Sequence, residues 1–383
     1  MKIALITDSY ASMDTDVAVH VGVLAEGLLR MGHRVLIAMP ELGCDEAIQE
    51  GNLLRCDGKR SSTAEGVQVS RAGGRQLEEK LRAFRPELLH IHTLSATGKA
   101  ALQYAADSEI PALLTVHSLR DLDKSGGGFS PWALWREKKR LETAETVLEQ
   151  ASGIAVLSDA MAQSLYQEGV QVIGQRFPTA IDTELFYPGS ASQAQQQSLA
   201  RSLSLEGKTV VVCSGCEDGS VYHFLEAWGR AFSESGSMRL LLLNREEQED
   251  DLLSMIHSLH LSRQVILTGH LSREEMAACY ALSCCYVCCA QTEELRLSAV
   301  EAAACGTPLL IRAGSGTATV VENKINGFLW SSETEALDLV RKFAKVQGPG
   351  RESLMKMVSG TVRTLTPQNQ ARAAEVFYQS LFA

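Results

Sequence analysis

Three things are scarce in this 383-residue chain. Positive charge is the first: 36 Lys and Arg stand against 46 Asp and Glu, a formal net charge of −10, with a pI near 5.5. A general nucleic-acid binder shows a basic face, so that class is set aside. Long apolar runs are the second, and none approaches the length of a membrane span. The third is metal-ligand spacing among the ten cysteines. Cys213 and Cys216 form a C-x2-C, and Cys284, Cys285, Cys288 and Cys289 flank Tyr286 and Val287 in CCYVCC. These pairs sit in or beside apolar, strand-like runs with no second spaced pair and His of the zinc type, so buried thiols in a reducing cytoplasm are expected. No internal repeat is evident. The opening MKIALITDSY reads as a strand ending at Asp8 rather than as a signal peptide.

What is present is globular: 45% hydrophobic and 21% charged residues. The length exceeds one ordinary core and predicts two domains. Lys2 to Thr7, a loop, an apolar-faced helix from Val17 to Met31 and a strand from Arg34 to Met39 make a βαβ opening. That is the start of a doubly wound α/β domain, in which ligands bind at the C-terminal ends of the strands. Asp16 reads as the N-cap of the first helix. Residues 41 to 75 are polar and Gly-rich, with one strand expected at Val67 to Ser70 and a helix from Leu77 to Phe84. Two later strands end in histidine, at His92 and at His117. Asp121 and Asp123, in a loop that holds Gly126 to Gly128, read as solvated. The segment PWALWREKKRLE sets Trp132 and Trp135 beside Arg136, Lys138, Lys139 and Arg140. It reads either as a membrane-surface element or as a solvated helix face with its tryptophans in the core.

The stretch from Ala290 to Ile311, AQTEELRLSAVEAAACGTPLLI, organises the second half. It reads as a loop, an apolar helix stopped by Gly306 and Pro308, and a buried strand. Glu293 precedes the helix and Glu301 lies within it. A carboxylate in such a helix is costly unless something donates to it. Two readings stay open for Glu301: a buried ion pair or cap, or an acceptor for a ligand's vicinal hydroxyls. Under the second, the helix N-terminus would offer N–H groups to an anion, a combination that suits a sugar nucleotide.

Glu293 and Glu301, with Thr292, Leu297, Ala302 and the ACGTP run from Ala304 to Pro308, resemble the E-x7-E element of the family 4 retaining glycosyltransferases. TDSY followed by the first helix resembles the opening of diacylglycerol and related lipid glucosyltransferases. PALLTVH, ending at His117, resembles the family's strand-terminal histidine, and RFPTAIDTELFYP resembles its interdomain P-T-G-I-D segment with Ala180 in place of Gly. The resemblance implies the GT-B fold: two Rossmann-like doubly wound domains facing a cleft, with a last helix crossing back to the first. The expected boundaries are 1–188, 189–366 and 367–383. It further implies a hexose transferred with retention from a nucleotide-sugar to a lipid or glycan acceptor. No metal or cofactor is implied beyond the donor substrate, and the protein is expected in the cytoplasm or peripherally on the inner membrane face. His117 would face the sugar, Glu293 the sugar hydroxyls or the developing charge, and Glu301 the ribose.

Besides Ala180, four positions depart from the pattern. Ser214 and Gly219 stand where the family places an Arg and a Lys on the donor diphosphate, Asp16 stands where Gly is usual, and Arg296 also replaces a Gly. Each charge-assisted hydrogen bond to phosphate contributes roughly 1.5–3 kcal/mol, so losing two costs about 3–6 kcal/mol, on the order of 10² to 10⁴ in donor affinity. Arg296 is expected either to restore charge at the phosphate or to pair with Asp16. The competing expectation is a catalytically impaired, pseudoenzyme-like relative that binds or scaffolds an active transferase.

Overall fold

Short, fully buried aliphatic runs are what strands need when helices cover both faces of a parallel sheet, and this chain builds two such sheets. The computed structural model describes residues 1–10, 15–60, 67–119, 131–171, 176–216, 219–243 and 249–382, with the side chains of residues 131–137, 139, 140 and 249 left undescribed. The chain divides into two units, Met1–Ala180 with Leu365–Ala383, and Ile181–Thr364. The first unit's chain therefore leaves at Ala180, ahead of the 188 expected from sequence.

In the first unit β1 (Lys2–Ile6), α1 (Asp16–Arg30) and β2 (Arg34–Leu42) form the βαβ opening. Then come β3 (Ile48–Glu50), β4 (Leu53–Arg60), β5 (Val67–Val69), α2 (Arg71–Phe84), β6 (Leu88–Ile91), α3 (Ala96–Asp107), β7 (Ala112–Val116), α4 (Pro131–Gln150), β8 (Gly153–Val156) and α5 (Asp159–Gln167). The strand order is β3-β4-β2-β1-β6-β7-β8, with β5 on β4. Strands β2, β1, β6, β7 and β8 pair in parallel, β4 joins β2 in parallel, and β3 and β5 run antiparallel to β4.

Two expectations change here. The polar stretch 41–75 conceals β4, whose Leu54 and Cys56 are buried. Its alternation of buried and charged residues covers only Leu54 to Asp57 before Gly58 and the basic pair after it, too short to stand out by period. The cap of α1 is Thr15, whose Oγ1 accepts from the Ala18 N–H at 3.1 Å. Asp16 is instead the first helical residue, where its charge complements the helix dipole.

The second unit contains α6 (Gln193–Ser202), β9 (Thr209–Ser214), α7 (Ser220–Phe232), β10 (Met238–Leu242), α8 (Glu249–Ser258) and β11 (Val265–Leu267). It continues with α9 (Arg273–Leu282), β12 (Ser283–Cys288), α10 (Leu297–Ala304), β13 (Leu309–Arg312), β14 (Gly327–Trp330), α11 (Glu333–Phe343) and α12 (Pro349–Val362). Its sheet is parallel throughout, in the order β11-β10-β9-β12-β13-β14. All ten cysteines are buried.

Helix α13 (Pro367–Ser380) returns to the first unit and packs on α1. The approach is close because position 27 is glycine: a Cβ there would lie 2.1 Å from the Pro367 carbonyl oxygen. His33 Nε2 and Glu375 Oε1, at 2.9 Å, fasten the same face.

Candidate functional site

In each sheet the strand order reverses at one place, and the loops leaving the C-terminal ends of the flanking strands border a crevice. In the first unit that place lies between β1 and β6, and in the second between β9 and β12. The residues singled out from sequence cluster at these two places.

At the first, β1 runs into Asp8, whose carboxylate accepts from the hydroxyls of Thr93 and Thr97 and so ties this strand end to the next loop. Around it stand four histidines. His20 lies in α1, His90 in β6, His92 just past β6 and His117 just past β7. His92 Nδ1 and His117 Nε2 are 3.1 Å apart. His90 is bonded at both nitrogens, Nε2 to Thr115 Oγ1 at 2.7 Å and Nδ1 to Tyr378 Oη at 3.0 Å. Gln370 on α13 places its amide nitrogen 3.4 Å from His20 Nδ1 and donates to the Pro178 carbonyl at 3.0 Å. Phe177 packs against His20 and His90. Burial lowers the pKa of all four, and that of His117 falls to about 4. Neighbouring imidazoles add to the lowering at His20, His90 and His92. At neutral pH these are neutral rings, each able to accept at one nitrogen and donate at the other.

Sequence reasoning singled out His117 and noted His92 as a strand end, but passed over His20 and His90. A signal for His20 was available. It falls three residues after Val17 and four before Leu24, which puts it on the apolar face of the helix.

At the second place, β9 ends at Ser214, and Gly219 caps α7 with a φ of +76° and no side-chain cap. The Ser214 hydroxyl bonds Tyr286 Oη, which also lies 2.7 Å from Ser298 Oγ. No charge is present in that trio. The loop after β12 carries Glu293, half-buried, into the N-terminus of α10. Glycine is required beneath that loop. The Gly316 N–H donates to the Thr292 carbonyl at 2.8 Å, and a Cβ at 316 would lie 1.9 Å from the Glu293 carbonyl oxygen.

Glu301, only 5% exposed, accepts from Arg273 Nη2 at 3.1 Å and from Tyr280 Oη at 3.4 Å. Arg273 in turn lies over the Phe186 ring, 5.0 Å from its centroid. The buried ion pair is thus present. Arg273, at the start of α9, was not anticipated, because 28 residues separate it from Glu301 in sequence. Arg296 is the N-cap of α10 and is buried. Its Nη2 lies 3.3 Å from Glu294 Oε2, an ion pair inside its own unit.

Of the tryptophan–basic segment, Lys138 is exposed and 3.8 Å from Glu142. The side chains of Trp132, Trp135, Arg136, Lys139 and Arg140 lie outside the described residues, as do Asp121 and Asp123. Among the described residues no helix is long and apolar enough to cross a membrane.

The chain matches two family models, Glycosyltransferase Family 4 over residues 17–185 and Glycosyl transferases group 1 over residues 221–356. The alpha-monoglucosyldiacylglycerol synthase of Acholeplasma laidlawii is 22% identical, over 100% of this chain and 97% of that protein. The synthase of the same name from Streptococcus pneumoniae is 20% identical over 87% of this chain and 76% of that protein. Among solved structures, sucrose-phosphate synthase from Thermosynechococcus elongatus superposes with a TM-score of 0.76 at 20% identity, over 100% of this chain and 99% of that one. Anabaena HepE in complex with UDP and glucose superposes with a TM-score of 0.75 at 15% identity, covering 99% of this chain and 100% of that one.

Proposed function

We propose that this chain, which belongs to the GT-B glycosyltransferases, transfers a hexose from a nucleotide-sugar to a lipid or glycan acceptor with retention. The observation that carries the reading is the placement of Glu293 and Glu301 on either side of the N-terminus of α10, beside the strand reversal of the second sheet. Glu301 accepts from the ribose hydroxyls. Its carboxylate is held by Arg273, and a carboxylate's four or so lone-pair sites accommodate Arg and ribose together. Glu293 faces the sugar hydroxyls or the developing charge, with His117 on the sugar from the histidine-bearing unit.

The donor diphosphate lacks cationic side chains at Ser214 and Gly219, so it relies on backbone N–H groups at the starts of α7 and α10 and on Arg296. Arg296 must turn from Glu294 to serve. Metal and organic cofactors have no part in this transfer. A lipid acceptor is favoured by the names of the two curated relatives, and a peripheral place on the inner membrane face follows from it, through the segment from Trp132 to Arg140.

The second reading is a relative without transfer activity that binds or scaffolds an active transferase. It is favoured by the uncharged trio Ser214, Tyr286 and Ser298 and by the engagement of Arg296 with Glu294.

Calorimetric titration with UDP, GDP and their hexose conjugates decides between the two. Micromolar binding, abolished in Glu301→Gln while the variant remains folded by circular dichroism, is the expected result. Silence up to millimolar nucleotide from folded wild-type protein overturns it in favour of the binding partner.

A further inference from the structure

The histidine cluster is larger than a single sugar-facing residue needs. His20, His92 and His117 each present a ring nitrogen, and these nitrogens lie within 4.8 Å of one another. Ligand nitrogens bound at about 2.0–2.1 Å to one tetrahedral ion are roughly 3.3–3.4 Å apart. The 3.1 Å between His92 Nδ1 and His117 Nε2 is already near that spacing. Small rotations of His20 close the rest.

Two buried ring nitrogens here, His20 Nε2 and His92 Nε2, have no hydrogen-bond partner among the described residues, and neither has Gln370 Oε1. Leaving buried polar atoms unsatisfied is costly. A cation would satisfy His20 Nε2 directly, while His92 would ligate through Nδ1, the nitrogen that faces His117. Turning the Gln370 amide would bring Oε1 to the Nδ1–H of a ligating His20, the way metal-bound imidazoles are usually oriented, at the expense of the amide's bond to the Pro178 carbonyl. His90 stays outside the set, because both its nitrogens are committed to Thr115 and Tyr378.

We propose that His20, His92 and His117 form a binding site for a divalent transition-metal cation of the imidazole-preferring kind, Zn²⁺ in the first instance. The donor set decides the class. Neutral imidazoles suit Zn, Cu, Ni and Co, whereas Mg²⁺ and Ca²⁺ take oxygen ligands. Three histidines leave a fourth position for solvent or a hydroxyl-bearing molecule. The three ligands come from α1 and from the residues just past β6 and β7, so the ion would clasp the helix after β1 to the two strand ends beside it. Ligation would also take up His117 Nε2. The ion would compete with the sugar contact proposed for His117, but the site rests on its own geometry whether or not the chain transfers sugar, since all three ligands belong to one unit.

The test uses the full-length protein, stripped with chelator and desalted, with Zn²⁺ followed by calorimetry and Co²⁺ by absorption. The expected result is one ion per chain and visible d–d absorption without the near-ultraviolet thiolate band that the buried cysteines would produce. Binding is lost in His20→Asn and in His92→Asn. It is weakened roughly 10–100-fold in Gln370→Leu, which leaves the three rings in place. It persists in Cys213→Ser/Cys216→Ser. Absence of Co²⁺ absorption from folded wild-type protein overturns the proposal. So does a thiolate spectrum, or binding that survives both histidine substitutions. Circular dichroism of each variant separates lost ligation from lost folding, and Gln370→Leu gives the reading if both histidine variants unfold.

Discussion

The two units share a plan and differ in what they place at the same topological position. Both have a sheet with a parallel centre, at which the strand order reverses, β1 beside β6 in one and β9 beside β12 in the other. At the first reversal the chain gathers four neutral imidazoles. At the second it places a hydroxyl trio, a glycine cap and a carboxylate held by an arginine. The fold supplies the crevice and the side chains supply its chemistry. One position is therefore sensitive to protons and soft cations, and the other to the loss of a charge partner.

The largest effect expected from this contrast is on pH. The folded pKa of each buried histidine is lowered, so its contribution to stability is complete above the unfolded value near 6.5 and is lost as pH falls below it. Each imidazole that stays neutral in the fold gives up about 1.4 kcal/mol per pH unit below 6.5. The loss from His117 saturates once pH drops through about 4. Urea unfolding of chelator-treated protein at pH 7.5 and 5.5 should show the first unit losing several kcal/mol. Equal midpoints at the two pH values would mean that the rings are solvated.

Next is the charge pair of the second unit. Glu301→Ala strands Arg273, and breaking such a buried pair costs about 3–5 kcal/mol. Arg273 is 27% exposed, so the lower end, near 3 kcal/mol, is expected. Arg273→Met with Glu301→Gln should recover part of it, and a double-mutant cycle with no coupling would refute the pair.

A smaller effect is expected at Gly316, where a methyl group meets the Glu293 carbonyl. Gly316→Ala should cost about 1–3 kcal/mol, as overpacking does. It should also weaken nucleotide binding by displacing the loop that carries Glu293. Unchanged affinity would separate that loop from the donor site. The smallest effect tests the helix cap. Thr15→Ala should destabilise by about 1 kcal/mol, and Asp16→Asn by only about 0.3–1 kcal/mol. The reverse order would restore Asp16 as the cap.

Much of the architecture is legible locally. The buried runs of β1, β6, β7, β9 and β13, and the glycine and proline that stop α10, carry their own signals in composition and period. β4 does not, because its alternation of buried Leu54 and Cys56 with Arg55 and Asp57 ends at once in Gly58 and two basic residues. The candidate site divides in the same way. Glu293, Glu301 and His117 stand out by position within a motif, whereas Arg273 and His20 do not. Arg273 meets Glu301 across 28 residues, and Gln370 meets His20 across 350. No local pattern encodes either meeting.

The sequence by itself determined the parallel strands at the heart of both sheets, the place of the α10 N-terminus between two glutamates and the absence of charge at Ser214 and Gly219. Those properties depend on residue type and short-range spacing, which a linear reading contains. Only the tertiary structure decided that Thr15 caps α1, that Arg296 turns to Glu294, that Arg273 holds Glu301 and that His20, His92 and His117 share one buried space. Each of these depends on distances between side chains whose separation along the chain, or whose exact helical phase, is fixed only once the sheets and helices have packed.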